Sequence, residues 1–336
     1  MTPQGTRRRR HLSGIVLLVL ALIGALFAPF LTPHDSDARF NRLLNAPPTT
    51  IHVVDASGHL RRPFVHPWRV VSQLEQRYEP DVDVVVPLVW FGNGRLLTSS
   101  DERRAPFLPL GTDSYGRDVF ARLLFGARAS IGLALAAALT AIGLGAIVGA
   151  WAGRSGRTID DAVMRASDVL LVLPGIYVAL TVRAALPLVL SAGTVFVLMA
   201  GIFAVLGAPV VARGVRAIVR AERQQDYVLA AESLGAGPMR VMLRHLIPAT
   251  AGFLQSQLTL LVPAFVVGEA TLSYVGLGFP ESVASWGTML RDASSARALA
   301  DFPWLLSPAV AMFLLVLSLN LLGESEAIRT GRARLR

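Results

Sequence analysis

Lysine and cysteine are both absent from the 336 residues. The phosphate-binding loop of ATPases, G-x-x-x-x-G-K-[ST], needs a lysine charge on the β- and γ-phosphates. This chain cannot build one, so any ATP it depends on is hydrolysed by another subunit. The lack of cysteine excludes disulfides, thiolate metal sites and cysteine nucleophiles. Charge is also scarce. Only 16% of residues are charged and 53% are hydrophobic, where a soluble domain carries about 25% charged residues. An ordinary water-soluble enzyme is therefore excluded. The six histidines (11, 34, 52, 59, 66 and 245) all lie outside the long apolar runs, and no H-E-x-x-H motif occurs. No histidine can serve an intramembrane serine as a base, which disfavours an intramembrane hydrolase. The arginine-rich tails could touch anionic lipid, but no aromatic platforms are interleaved with them, so nucleic acid is not an expected partner.

What is present is a set of long uncharged runs. Residues 12–31 carry no charge and follow Arg7-Arg8-Arg9-Arg10. No A-x-A pattern follows, so the run reads as an uncleaved signal-anchor helix rather than a signal peptide. Residues 129–153 are 25 uncharged positions, enough to cross a core of about 30 Å. Residues 169–212 carry only Arg183 and are about twice one crossing, with a break expected at 183–193 beside Pro187 and Gly193. Runs 246–268 and 302–322 complete six expected spans, an all-α polytopic membrane protein.

Charge assigns sides to the loops. With the N-terminus inside, segments 1–11, 154–168, 213–245 and 323–336 together hold the whole net charge of +9. The outer stretches sum to zero or slightly negative. This asymmetry is the positive-inside pattern, and it places both termini in the cytoplasm. The expected organisation is a tail and first span over 1–32, an extracytoplasmic insert over 33–107, and a helical domain over 108–336 with a cytoplasmic loop at 213–247.

In the insert, 51–54 and 59–60 flank Ala56-Ser57-Gly58 like a hairpin, and 83–91 and 95–97 flank Gly92-Asn93-Gly94 like a second. Between them Val70, Val71, Leu74 and Tyr78 read as a short helical face after Pro67. A small α+β cap is expected. Within the spans, Gly145, Gly149 and Gly153 recur every four residues, a stripe that lets another helix approach closely. Ionisable residues inside spans mark transport pathways or pair with one another. Only Arg183 and Glu269 qualify as such a pair.

The most informative segment is 225–248, QDYVLAAESLGAGPMRVMLRHLIP. Tyr227, Ala230, Ala231 and Leu234 share one face at i, i+3, i+4 and i+7, so a helix is expected to end at Leu234. Gly235 suits the left-handed position that stops it, and Pro238 suits the first turn of the next helix. The product is a short helical hairpin with small residues at its corner, shaped to seat in a partner's groove.

The A-A-x-x-x-G pattern, nine further residues and then His245-x-Ile247-Pro248 resemble the cytoplasmic "EAA" loop of permease subunits in binding-protein-dependent ABC importers. LGTDSYGRDVFARLLFGARASI (110–131), GEATLSYVGLGFPESVASWGTML (268–290) and PWLLSPAVAMFLLVLSLNLLGE (303–324) resemble its dipeptide/oligopeptide/nickel branch, the C-type permease. The resemblance implies a type I importer fold, a second homologous permease, two ABC ATPase subunits that bind the ATP, and an extracytoplasmic substrate-binding protein. It implies no cofactor and no catalysis in this chain, and Tyr227, Ala230, Ala231, Leu234, Gly235 and Pro248 as the ATPase-coupling loop. Leu229 stands where that loop's glutamate is expected, with Glu232 three positions on. The implied contact is therefore packing through Ala230, Ala231 and Gly235. The rival class is a stand-alone channel or ion-coupled carrier, which would transport without ATP.

Overall fold

The computed structural model describes residues 3–54, 58–187 and 189–333. The chain divides into two compact units. The first comprises Met1–Leu18, Ile131–Leu272 and Leu315–Arg336, and the second Val19–Ser130 and Ser273–Leu314.

Helix α1 runs over Pro3–Leu26, and a short α2 follows over Ala28–Leu31. The break at Phe27 divides the expected 12–31 span. Pro29 has no N–H to return to Ala25 and its ring crowds that carbonyl, so the helix cannot continue regularly. The apolar helical part is His11–Leu26, shorter than a full crossing.

Six strands follow: β1 His52–Val54, β2 Leu60–Val65, β3 Trp68–Ser72, β4 Arg77–Pro80, β5 Val86–Trp90 and β6 Leu97–Ser99. They form a four-stranded sheet ordered β1-β2-β5-β6 and a separate β3-β4 hairpin, with antiparallel pairing throughout. Ala56 and Ser57 of the first expected turn lie outside the described residues, while Gly58 takes the left-handed φ of 79°. The expected helical face through Val70, Val71, Leu74 and Tyr78 is overturned, because these residues lie on the β3-β4 hairpin and its turn. Four apolar positions are too few to bury a helix, whereas Trp68, Val70, Val71 and Tyr78 are strand formers. The turn closes locally: the Ser72 hydroxyl accepts from the Glu75 N–H, and Gln76 adopts φ 54°. The described part of the insert is therefore β, with one 3₁₀ turn at Gly92–Gly94, rather than α+β. Two small cores hold it. Phe107, Val65, Val86, Leu88 and Ala105 form one, and Leu43, Ala46 and Leu108 form the other.

The remaining helices are α3 Val119–Arg154, α4 Arg157–Val172, α5 Gly175–Ala184, α6 Ala192–Glu222, α7 Asp226–Ser233, α8 Pro238–Val241, α9 Ile247–Ala249, α10 Ala251–Val275, α11 Trp286–Asp292, α12 Ala296–Asp301 and α13 Ser307–Ala333. Among the described residues four are long and apolar enough to cross a membrane: Val119–Arg154, Ala192–Glu222, Ala251–Val275 and Pro303–Gly323. The pair α4–α5 passes the same test together but bends by 84°. The count is four, or five with the bent pair, and the short apolar helix His11–Leu26 stands beside them. The 169–212 stretch is thus broken twice, between Ala184 and Ala192 as expected and also at Leu173-Pro174. Leu173 is extended at ψ 133°, the conformation imposed on the residue before a proline.

The first unit is built on the contact of α3 with α6. A Cβ on Gly149 would lie 2.3 Å from the Ala212 carbonyl oxygen, and one on Gly145 2.5 Å from the Val211 side chain. The glycine stripe lets these two backbones nearly touch. Helix α4 is fastened to α6 by charge. Buried Asp160 accepts from Arg216 Nε at 2.6 Å and from Arg220 at 2.7 Å, with a second bond from Arg216 to its other oxygen.

Candidate functional site

The 225–248 segment forms a rigid hairpin in the first unit. Helix α7 ends in a full Schellman motif: the Ala236 N–H reaches the Ala231 carbonyl at 3.0 Å and the Gly235 N–H reaches the Glu232 carbonyl at 3.0 Å. That geometry needs a left-handed residue, supplied by Gly235 at φ 83°. Gly237 is the extended residue before α8, and Pro238 takes its first position, where a missing N–H costs nothing. Pro248 cannot donate an intrahelical bond. The helix around it is wider, with a π turn over Met242–Leu246 in which the Ile247 N–H returns to Met242.

One residue anchors the hairpin inward. Val228 is fully buried and packs in a cluster with Ala150, Val211, Val215, Val219, Val241 and Leu246. Sequence periodicity grouped Tyr227, Ala230, Ala231 and Leu234 and overlooked Val228. Its signal was an isolated β-branched residue on the opposite side of a short helix. The grouped residues point outward: Tyr227, Ala230, Leu234 and Gly235 are exposed and Ala231 is half-buried. Leu234 is 89% exposed, and Leu229, Met239 and Leu243 are exposed as well. Tyr227 braces the base. Its hydroxyl donates to Glu222 at 2.5 Å and its ring lies 5.8 Å from that of His245. The Glu222 carboxylate that accepts this bond pushes the Tyr227 phenol up to about 12.

Arg183 and Glu269 are both buried, at 1% and 0% exposure. Arg183 donates to the Pro187 carbonyl at 3.1 Å, across the turn that closes α5.

The second unit explains three of the quoted sequence stretches. The Asp113 carboxylate accepts from the N–H groups of Tyr115 and Arg117 and from Arg117 Nε at 2.6 Å. Arg117 then donates to Asp292 at 2.7 Å and to the Glu281 carbonyl at 3.3 Å. Asp118 caps α3 through the N–H groups of Phe120 and Ala121, while its other oxygen meets His34 Nδ1 at 2.9 Å. The Trp286 indole donates to the Leu123 carbonyl, and the Trp304 indole to the Thr112 carbonyl. Residues 110–131, 281–292 and 303–304 are thereby stitched together. Burial pushes Asp292 up to about 6, opposed by Arg117 and reinforced by Asp113. Among the described residues no group of three or more histidines and carboxylates is placed to hold a metal.

Apolar helices, a braced polar hairpin with an uncovered apolar face, and charges spent on stitching segments together are the parts of a membrane transport subunit. Residues 123–325 match the family model of the binding-protein-dependent transport system inner membrane component, and the chain belongs to that family. The oligopeptide transport system permease protein OppC of Bacillus subtilis (strain 168) is 37% identical over 215 residues, covering 64% of this chain and 68% of that protein. A putative peptide permease protein of Brucella suis biovar 1 is 35% identical over 215 residues, 64% of this chain and 69% of the relative. The glutathione transport system permease protein GsiD of Escherichia coli O6:K15:H31 is 36% identical over 218 residues, 64% of this chain and 68% of the relative. The chain is thus a multi-pass inner-membrane permease subunit of a binding-protein-dependent ABC transporter. It is not itself catalytic and carries no cofactor. ATP is bound by ATPase partners, and a binding protein completes the system.

Proposed function

We propose that this permease imports short peptides, pairs with a second homologous permease, and is driven by two ATPase subunits through the 226–238 hairpin. The relatives named for oligopeptides, peptides and glutathione support the cargo. The observation that carries the coupling role is a hairpin locked by its Schellman turn and anchored through Val228, yet apolar and uncovered on its outer face. A rigid knob of that kind transmits a displacement instead of absorbing it. Closure of the ATPase pair on ATP moves Ala230, Ala231, Leu234 and Gly235, and α6 and α10, which flank the hairpin in the chain, follow.

The same reading takes six spans in a type I importer arrangement, with His11–Leu26 and its continuation as the first. It puts both termini and the hairpin in the cytoplasm, the insert 33–107 outside, and the permease domain at 108–336. Arg183 and Glu269 are proposed as buried charges of the translocation bundle. The family match at 123–325 falls inside 108–336 and supports that division.

The absence of cysteine makes the test direct. A single Ala230→Cys in the assembled transporter, treated with a short bifunctional reagent, is expected to cross-link to the ATPase subunit from the cytoplasmic side only. Cross-linking to the binding protein from outside would contradict both the orientation and the coupling role.

A further inference from the structure

The β5-β6 turn carries two adjacent aromatic residues that stay exposed. Trp90 is 56% exposed and Phe91 is 68% exposed. Phe91 also sits at φ 57°, a left-handed conformation that is strained for a bulky side chain. A turn selected for stability alone would place glycine or asparagine there and bury its aromatics elsewhere.

The turn is fixed at the end of the first apolar helix. The Leu96 N–H donates to the Phe30 carbonyl at 2.7 Å, and Arg95 donates to the Thr32 carbonyl at 3.1 Å and to Asp35 at 2.8 Å. The Phe91 ring stacks near Phe30, with centroids 6.3 Å apart. Along the helix leading there, Val19, Leu20, Leu22, Ile23, Leu26, Phe27 and Phe30 are all exposed. One continuous apolar surface therefore runs from the helix onto the tip of the hairpin. The apolar helix His11–Leu26 covers 16 residues, about 24 Å at 1.5 Å per residue. That falls short of the roughly 30 Å hydrocarbon core, and residues 27–31 supply the remainder, so Phe30 and the Phe91 ring stacked on it lie at the end of the apolar segment. A Trp and several Phe side chains at that end are what an interfacial belt requires.

We propose that the β5-β6 turn is a lipid anchor: Trp90 and Phe91 insert into the leaflet at the C-terminal end of the first apolar helix and tie the β insert down onto the bilayer. Lipid is favoured over a protein partner because the patch is continuous with the exposed apolar face of a helix whose composition suits a bilayer. The strain at Phe91 is offset by that insertion. Arg95, held by Thr32 and Asp35, sets the depth of the turn.

Single-cysteine variants Phe91→Cys and Trp90→Cys, spin-labelled in the transporter reconstituted into phospholipid nanodiscs, test this, with Glu75→Cys on the neighbouring hairpin as the aqueous reference. Labels at 90 and 91 are expected to collide more often with oxygen than with a water-soluble nickel chelate, with the ratio reversed at 75. As a second measurement, brominated lipids are expected to quench tryptophan fluorescence less in Trp90→Tyr than in the parent chain. Labels at 90 and 91 as open to nickel as that at 75 would overturn the proposal. So would labels shielded from both collision partners only when the binding protein is added, which would make the occupant a protein.

Discussion

Single residues carry two of the sharpest expectations. Gly235 has open space where a Cβ would stand, so its constraint is φ 83° alone. Gly235→Val is expected to cost about 1–2 kcal/mol locally and to loosen the Schellman turn. Gly235→Asn, which tolerates the left-handed region, is expected to keep it. Hydrogen exchange at the Ala236 amide distinguishes the two: faster in the valine variant, near the parent rate in the asparagine variant. Asp292 gives a pH signature. Its folded value of about 6 lies above the ordinary aspartate value of about 3.9. The contribution of this group is therefore fully present below the unfolded value and is lost as pH rises through the folded one. Asp292→Asn does not titrate and keeps an acceptor for Arg117. Its melting temperature relative to the parent chain is expected to rise between pH 4 and pH 7. A difference independent of pH would show that burial does not raise the titration of Asp292.

Among elements, the α3–α6 contact separates packing from propensity. Gly149→Leu forces a side chain into the Ala212 carbonyl and is expected to destabilise the chain by about 1–3 kcal/mol. Gly143→Ala, with nothing within 4 Å of its new Cβ, is expected to be neutral or slightly stabilising. Thermal unfolding in the same detergent compares them. Asp160→Asn leaves Arg216 and Arg220 without their shared carboxylate, at an expected cost of about 1–3 kcal/mol because both arginines keep some solvent. The glycine stripe was legible in the sequence because spacing alone encodes it. The Asp160 clamp was not, since its partners stand more than fifty residues away and nothing local marks them. Proline effects were read unevenly. The stop before Pro238 was visible from the neighbouring Gly235, whereas the 84° bend at Pro174 lay hidden in an apolar run where length dominated. The β3-β4 hairpin was mistaken for a helix because Val70, Val71, Leu74 and Tyr78 fit a helical spacing by coincidence. The β-branched and aromatic character of Val70, Val71 and Tyr78 is the better guide.

For the whole molecule, composition and hydrophobic runs were enough to establish a polytopic membrane protein, and the missing lysine placed ATP hydrolysis elsewhere. The hairpin's boundaries were readable because glycine and proline mark both ends, yet its anchor Val228 depends on tertiary packing with Val219, Val241 and Leu246. The stretches 110–131, 268–290 and 303–324 could be recognised as patterns before their purpose was visible. Asp113 and Arg117 connect two of them through the Glu281 carbonyl and Asp292, and Trp304 fastens the third. The account rests on force passing from an ATPase into the apolar bundle through the 226–238 hairpin. Its most direct test measures ATP hydrolysis and labelled-peptide uptake in the same proteoliposomes, for the parent transporter and for Gly235→Arg. The expected result is an assembled complex that still hydrolyses ATP while uptake falls to the ATP-free background. Normal uptake by the variant, or uptake by this chain reconstituted without any ATPase, would contradict it.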